Sequence, residues 1–213
     1  MTKGELLRAL SRRFGRLATD VVVRVPGLWP VFRRPLRAQF DRLSSEWEEI
    51  IAGPDHLAPY EAALESIEPP RRALDLGTGT GAGAFALARR FPDAEVVGAD
   101  LAERMLAEAR RLTPAELARR VRFEQADASG LPYEDGSFDL VALVNMIPFF
   151  DELARVVAPG GTVLIAFSRG AATPIYVSPD RLRAELSRRG FSQFADFAAG
   201  DGTAVTARKT ASA

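Results

Sequence analysis

From Arg71 onward, short apolar runs alternate with stretches of helical periodicity, and that rhythm limits the possible fold more than any other feature of the chain. The apolar runs fall at 72–76, 95–99, 121–125, 138–144, 162–167, 191–198 and 203–208. The helical stretches between them lie at 82–90, 102–111, 149–157 and 179–189. Strands connected through helices run parallel, and the helices cover both sheet faces. The last two runs are joined only by "AGDG", which is long enough for a hairpin and too short for a parallel crossover. The expectation is a Rossmann-like, doubly wound α/β sheet of seven strands, mostly parallel, with an antiparallel strand at the C-terminal end.

The segment before Arg71 reads differently. Residues 3–18 have the spacing of an amphipathic helix, with Leu6, Leu10, Phe14 and Leu17 on one face and Arg8, Arg12 and Arg16 largely opposite. The three prolines between residues 26 and 35 predict a turn or extended segment, and 36–52 and 57–67 predict two more helices. We therefore expect an N-terminal helical arm or lid over 1–65 and an α/β domain over 66–213.

Charge divides along the same line. The whole chain has a net charge of zero, but residues 1–42 hold ten Lys/Arg against three Asp/Glu, a balance of +7 that leaves −7 elsewhere. The default reading of this arm is a solvated face. Peripheral membrane contact is a less favoured alternative, and nucleic acid is not expected, because no basic–aromatic interleaving accompanies the charge. The absence of cysteine excludes disulfides, thiolate metal sites and a cysteine nucleophile, and a single histidine, His56, leaves no metal site to expect. "VVVRVPGLWPVF" is interrupted by Arg24, Pro26 and Pro30, so neither a signal peptide nor a spanning helix is expected, and a cytoplasmic location is.

The chemistry gathers at "ALDLGTGTGAGAFALARRFPDAEVVGAD", beginning at Ala73. Gly77, Gly79 and Gly81 follow a short strand and precede a helix, an arrangement that lets backbone approach a ligand near a helix N-terminus. The glycines alone also satisfy G-x-G-x-x-A, the dinucleotide pattern of a nicotinamide-dependent oxidoreductase. Three acids favour a different ligand. Asp75, just before the turn, suits an ammonium and would repel a pyrophosphate. Asp100 ends the second strand, where an acid accepts ribose hydroxyls. Asp127 follows the third strand, where an acid can accept an adenine amino group. A ligand with an amino-acid head, a ribose and an adenine accounts for all three.

With these residues in order, the chain resembles the class I S-adenosylmethionine-dependent methyltransferases, of the small-molecule, methyltransferase type 11/25-like kind, over about 71–208. "LDLGTGTG" matches the family's first motif, and Asp100 with "LAERMLAEAR" matches its second. "ADA" around Asp127 matches its adenine motif. "LPYEDGSFDLV" and "ELARVVAPGGTVLIAF" match the approach to the fourth strand and the turn before the fifth. The resemblance implies S-adenosyl-L-methionine as cofactor, held by Asp75, Gly77, Thr78, Gly79, Gly81, Asp100, Leu101, Met105, Asp127 and Ala128. It also implies that Trp47, on a helix before the core, covers the methionine part.

The region after the fourth strand, "NMIPFFDELARVVAPGG", is compressed and lacks a histidine. Asn145 opens it, and an acceptor-orienting role is one reading, a strand-end cap the other. Phe149 or Phe150 is a candidate pocket wall, although core packing is the commoner use of such residues. His56 is a weak candidate for a general base. The function expected is methyl transfer from S-adenosylmethionine to a small, fairly apolar acceptor, driven by positioning and desolvation rather than by a base. A nicotinamide oxidoreductase and a non-catalytic cofactor-binding protein are the alternatives.

Overall fold

A computed structural model describes residues 3–51, 53 and 55–211, with side chains from residue 12 onward apart from Ile50. The helices are α1 (Lys3–Arg24), α2 (Trp29–Leu43), α3 (Trp47–Ile51), α4 (Ala58–Leu64), α5 (Ala82–Arg90), α6 (Glu103–Leu112), α7 (Phe150–Val156) and α8 (Pro179–Ser187). The strands are β1 (Arg72–Leu76), β2 (Glu95–Asp100), β3 (Val121–Gln125), β4 (Phe138–Val144), β5 (Val157–Phe167), β6 (Phe191–Ala199) and β7 (Gly202–Lys209). They form one sheet in the order β3-β2-β1-β4-β5-β7-β6. β1 to β5 pair in parallel, and β7 lies antiparallel between β5 and β6, as the short "AGDG" link requires.

The sheet's two faces bury separate apolar clusters, because successive strand residues point to opposite sides. Leu74, Val97, Val141, Val163 and Val205 pack on one face with α7 and α8. Ala73, Val96, Leu140, Leu164 and Ala204 pack on the other with α4, α5 and α6. This two-sided burial explains why the parallel strands read as continuous apolar runs.

The arm belongs to the first face. Ala18, Val22, Trp29 and Leu36 are buried in the same cluster as the sheet. The inward face of α1 is thus Phe14, Ala18 and Val22, spaced four apart, while Leu17 points outward. That corrects the face expected from sequence; Leu6, Leu10 and Arg8 lie outside the described side chains. The proline segment is also helical rather than extended. Pro26 sits in the first turn of a short 3-10 helix (Pro26–Leu28) and Pro30 in that of α2, where no amide bond is lost. Only Pro35 is interior. The expected boundary at 65/66 falls just after α4, whose Tyr60, Ala63 and Leu64 are buried against the sheet, so α4 packs as part of the α/β layers.

Candidate active site

In an open parallel sheet, ligands bind beyond the carboxyl ends of the strands, where the strand order reverses. That point lies between β1 and β4. β1 leads into the glycine turn, β2 ends in Asp100, Asp127 stands just past β3, and Asn145 stands just past β4. The parallel registers bring all four chain segments to one edge.

The turn is rigid. Gly77, Gly79 and Gly81 have φ of 77°, 55° and 94°, a region that side-chain-bearing residues enter only at a cost. The amides of Gly77 and Thr78 both donate to the Ala99 carbonyl, at 2.8 and 3.1 Å, and the Gly81 amide donates to that of Thr78 at 2.9 Å. The Gly79 amide donates to Asp100 Oδ2 at 2.9 Å. Asp100 Oδ1 accepts from the Ala102 amide at 2.8 Å. One carboxylate therefore ties the turn to the start of α6. Burial raises the pKa of Asp100, against hydrogen bonds from the Ala102, Gly79 and Leu101 amides; the charge of Asp41 adds to the rise.

Asp75 lies beneath the turn, on the α4–α5 side, and is only 1% exposed. It accepts the Thr78 hydroxyl at 2.6 Å. Burial pushes its carboxyl up to about 7, opposed by the Thr78 hydroxyl and the Ala84 amide and reinforced by Asp100. A Cβ on Gly83 would lie 2.7 Å from Asp75 Oδ1, so the glycine keeps room for this acid. Buried Tyr60 faces it too, and burial followed by the Asp75 charge raises the phenol.

Asp127 is held by the arm. The Trp29 indole N–H donates to Oδ1 at 2.7 Å, and Arg33 reaches Oδ2 at 3.4 Å. The amide and hydroxyl of Ser129 also donate to Oδ1, at 3.0 and 2.8 Å. Burial alone would raise this carboxyl, but these donors outweigh it and hold the pKa low. Beside Asp127 is a cavity of about 340 Å³, lined by Leu101, Gln125 and Ala126 on the sheet side and Arg33, Arg34 and Arg37 of α2 opposite. Met105 and Ala128 do not line it. Met105 is buried on the inner face of α6, and Ala128 packs in the sheet–arm cluster.

Asn145 has φ of 52°, left-handed backbone of the kind asparagine tolerates. Its side-chain Oδ1 accepts the Ser168 amide at 2.9 Å, and its side-chain N–H donates to the Ser168 hydroxyl at 2.8 Å. These bonds clamp the end of β4 to the end of β5. Met146 then lies over Gly77, where a Cβ would come within 2.7 Å of its sulfur. Trp47 stands over Gly79, with its indole nitrogen 3.3 Å from where a Cβ would be, and packs edge-on against Phe40. Glu48 next to it accepts the Thr80 hydroxyl at 2.6 Å, so α3 is pinned to the turn. His56 is half-buried, its pKa lowered by burial and partly restored by Glu48. Phe149 and Phe150 are both buried, Phe149 edge-on against Trp29.

These residues suit an amino-acid nucleoside. The two oxygens of Asp100 spend part of their acceptor capacity on backbone amides and keep the rest for a diol. The flanking cavity offers an apolar wall at Leu101 for a base, and the glycines leave no side chain between turn and ligand. Trp29, Arg33, Glu48 and Met146 carry roles that the sequence reading did not assign. "GLWPV" offered one clue, a tryptophan set between prolines, since a buried indole N–H seeks an acceptor.

A family model described as a methyltransferase domain matches residues 73–161. Over 112 residues the chain is 47% identical to the demethylmenaquinone methyltransferase of Thermus thermophilus, covering 49% of this chain and 50% of that one. Over 145 residues it is 39% identical to a malonyl-acyl-carrier-protein O-methyltransferase of Halorhodospira halophila, covering 63% and 48%. The chain spans about half the length of these relatives. Among solved structures, the SpnF cyclase superposes with a TM-score of 0.68 at 19% identity, over 83% of this chain and 96% of that one, a likeness of fold alone. The oxidoreductase reading finds no counterpart in these relatives. Family match, relatives and strand order agree: residues 73–161 carry a methyltransferase domain, and the chain around it is similar to methyltransferases in sequence and to S-adenosylmethionine-dependent methyltransferases in fold.

Proposed function

We propose that the chain binds S-adenosylmethionine at the glycine turn and transfers its methyl group to a small, apolar acceptor. The observation that carries this reading is the bond between Asp100 and the Gly79 amide, which sets a diol-accepting carboxylate against a glycine-rich turn. Asp100 takes the ribose hydroxyls, Leu101 and the neighbouring cavity wall take the adenine, and Asp127 takes its amino group. Gly77, Thr78, Gly79 and Gly81 shape the turn under the methionine part, which Trp47 covers. Asp75 supports the turn through Thr78 and, where ionised, supplies negative charge beneath the ligand's ammonium. Met105 and Ala128 act by packing behind the Asp100 and Asp127 segments.

The cofactor supplies an electrophilic methyl on a sulfonium and departs neutral, so no acid is needed to assist it. The chain's task is to align the acceptor and exclude water, which together can contribute on the order of 7–11 kcal/mol. Met146 and the Phe149–Phe150 segment make the wall beyond β4 apolar. Asn145 acts through its clamp on Ser168, fixing the start of the loop that faces α1. The arm seats on that loop: Arg16 donates to the Ala171 and Thr173 carbonyls at 2.8 and 2.9 Å, and Arg12 to that of Ala172 at 3.1 Å. This contact supports the arm as the cover over the acceptor.

Demethylmenaquinone, in the name of the Thermus relative, is a first acceptor to try, with carboxylate acceptors second. The test is transfer of labelled methyl from S-adenosylmethionine across that panel. Turnover on a ring or carboxylate acceptor is expected. Cofactor binding with no transfer to any acceptor would favour a binding protein.

A further inference from the structure

Among the described residues, the large apolar side chains left exposed all lie on the arm: Leu17 (55%), Val25 (51%), Leu28 (43%) and Val31 (65%). Leu17 lies two turns before the end of α1, Val25 and Leu28 bound the corner at Pro26–Leu28, and Val31 lies in the first turn of α2, an exposed apolar stripe along the arm. The opposite side of the same hairpin buries Ala18, Val22, Trp29 and Leu36 in the core, so the stripe is a second apolar face rather than a loosely packed first one. Arg13, Arg24 and Arg34 flank it; all three are exposed, and none forms an ion pair among the described residues. Asp20 is the one acid between residues 12 and 37, against seven arginines.

Like charge disfavours pairing of this face with a second copy of the chain, and four apolar side chains gain nothing from a phosphate backbone in water. An anionic lipid surface satisfies both features, since apolar side chains enter the interface while guanidinium groups meet headgroups. Under the same corner is a cavity of about 430 Å³ between Val22 and Trp29 of the arm and Pro148, Phe149 and Phe150 beyond β4. Arg24, Pro26 and Pro30 line its corner side.

We propose that the α1–α2 corner is a docking surface for an anionic membrane, with Leu17, Val25, Leu28 and Val31 entering the interface and the cavity beneath opening toward the lipid. The proposal does not rest on methyl transfer or on the identity of the acceptor. Sedimentation of the full chain with phosphatidylcholine vesicles, with and without phosphatidylglycerol, tests it. Binding to the anionic vesicles is expected, weakened by salt, and reduced about tenfold or more by the paired substitution Leu28→Asp and Val31→Asp. Both side chains are exposed, so the variant's thermal melt is expected to match the parent's. Three results overturn the proposal: no binding to anionic vesicles, binding that the paired substitution leaves unchanged, or self-association or nucleic-acid binding that it abolishes while vesicle binding stays absent.

Discussion

Asp100 and Asp127 stand at the ends of neighbouring strands and are proposed to hold two parts of one nucleoside, yet different parts of the molecule hold them. Asp100 accepts amides from Gly79, in the turn that follows the neighbouring strand β1, and from Ala102, two residues on at the start of α6. Asp127 accepts from Trp29 and Arg33, which reach it across nearly a hundred residues of sequence. The hydrogen bonds that hold Asp100 come from the α/β layers, whereas those that hold Asp127 come in part from the arm. On that proposal cofactor binding and arm position are coupled at Asp127, because an adenine amino group and the Trp29 indole N–H would seek the same acceptor.

The largest way to break this comparison is to remove the arm's anchor. Trp29→Ala deletes a buried indole and its hydrogen bond, and is expected to lower stability by about 3–5 kcal/mol in denaturant melts. A much smaller loss would mean that the arm is a detachable cover. Asn145→Ala removes both bonds to Ser168. It is expected to lower methyl turnover about tenfold or more, roughly 1.4 kcal/mol, while leaving cofactor affinity nearly unchanged. Equal losses of both would place the clamp at the cofactor instead of the acceptor. Trp29→Phe keeps most of the packing and removes only the donor, with an expected stability loss of about 0.5–1.5 kcal/mol. It also frees Asp127, so affinity for the sulfur nucleoside is expected to rise. A fall would show that the indole assists binding.

The smallest effect is a pH slope. Asp75 is raised from 3.8 to about 7, so in this interval the folded chain holds a proton that the unfolded chain has released. Its contribution to stability is complete below the lower value and falls as pH rises toward the upper one. Thermal melts from pH 4.5 to 7.5 are expected to lose this downward component in Asp75→Asn, which keeps an acceptor for Thr78. An unchanged slope would mean that Asp75 is ionised throughout.

Much of the α/β architecture is legible in the sequence, because strands buried on both faces read as unbroken apolar runs and the link before β7 admits only a hairpin. The arm is less so. Its prolines predict extended chain, but Pro26 and Pro30 fall in first turns, where proline suits a helix, and local composition does not reveal that alignment. Leu17 reads as core by spacing with Leu10 and Phe14, but the true inward face of α1 is set by contact with the sheet. The site divides the same way. Asp100 and the glycines are neighbours across one βα unit and can be read together. The bonds from Trp29 to Asp127 and from Asn145 to Ser168 join residues distant in sequence, and no short-range pattern encodes them.

The central claim is that the glycine turn and Asp100 together hold S-adenosylmethionine. Titration calorimetry with S-adenosylhomocysteine, the demethylated product, on the parent chain and on Asp100→Ala measures it directly. The account predicts binding by the parent and a loss of about 1.5–3 kcal/mol in the variant, tenfold to somewhat over a hundredfold in affinity. Unchanged affinity in a folded Asp100→Ala, or a parent that binds NAD and neither sulfur nucleoside, would contradict it.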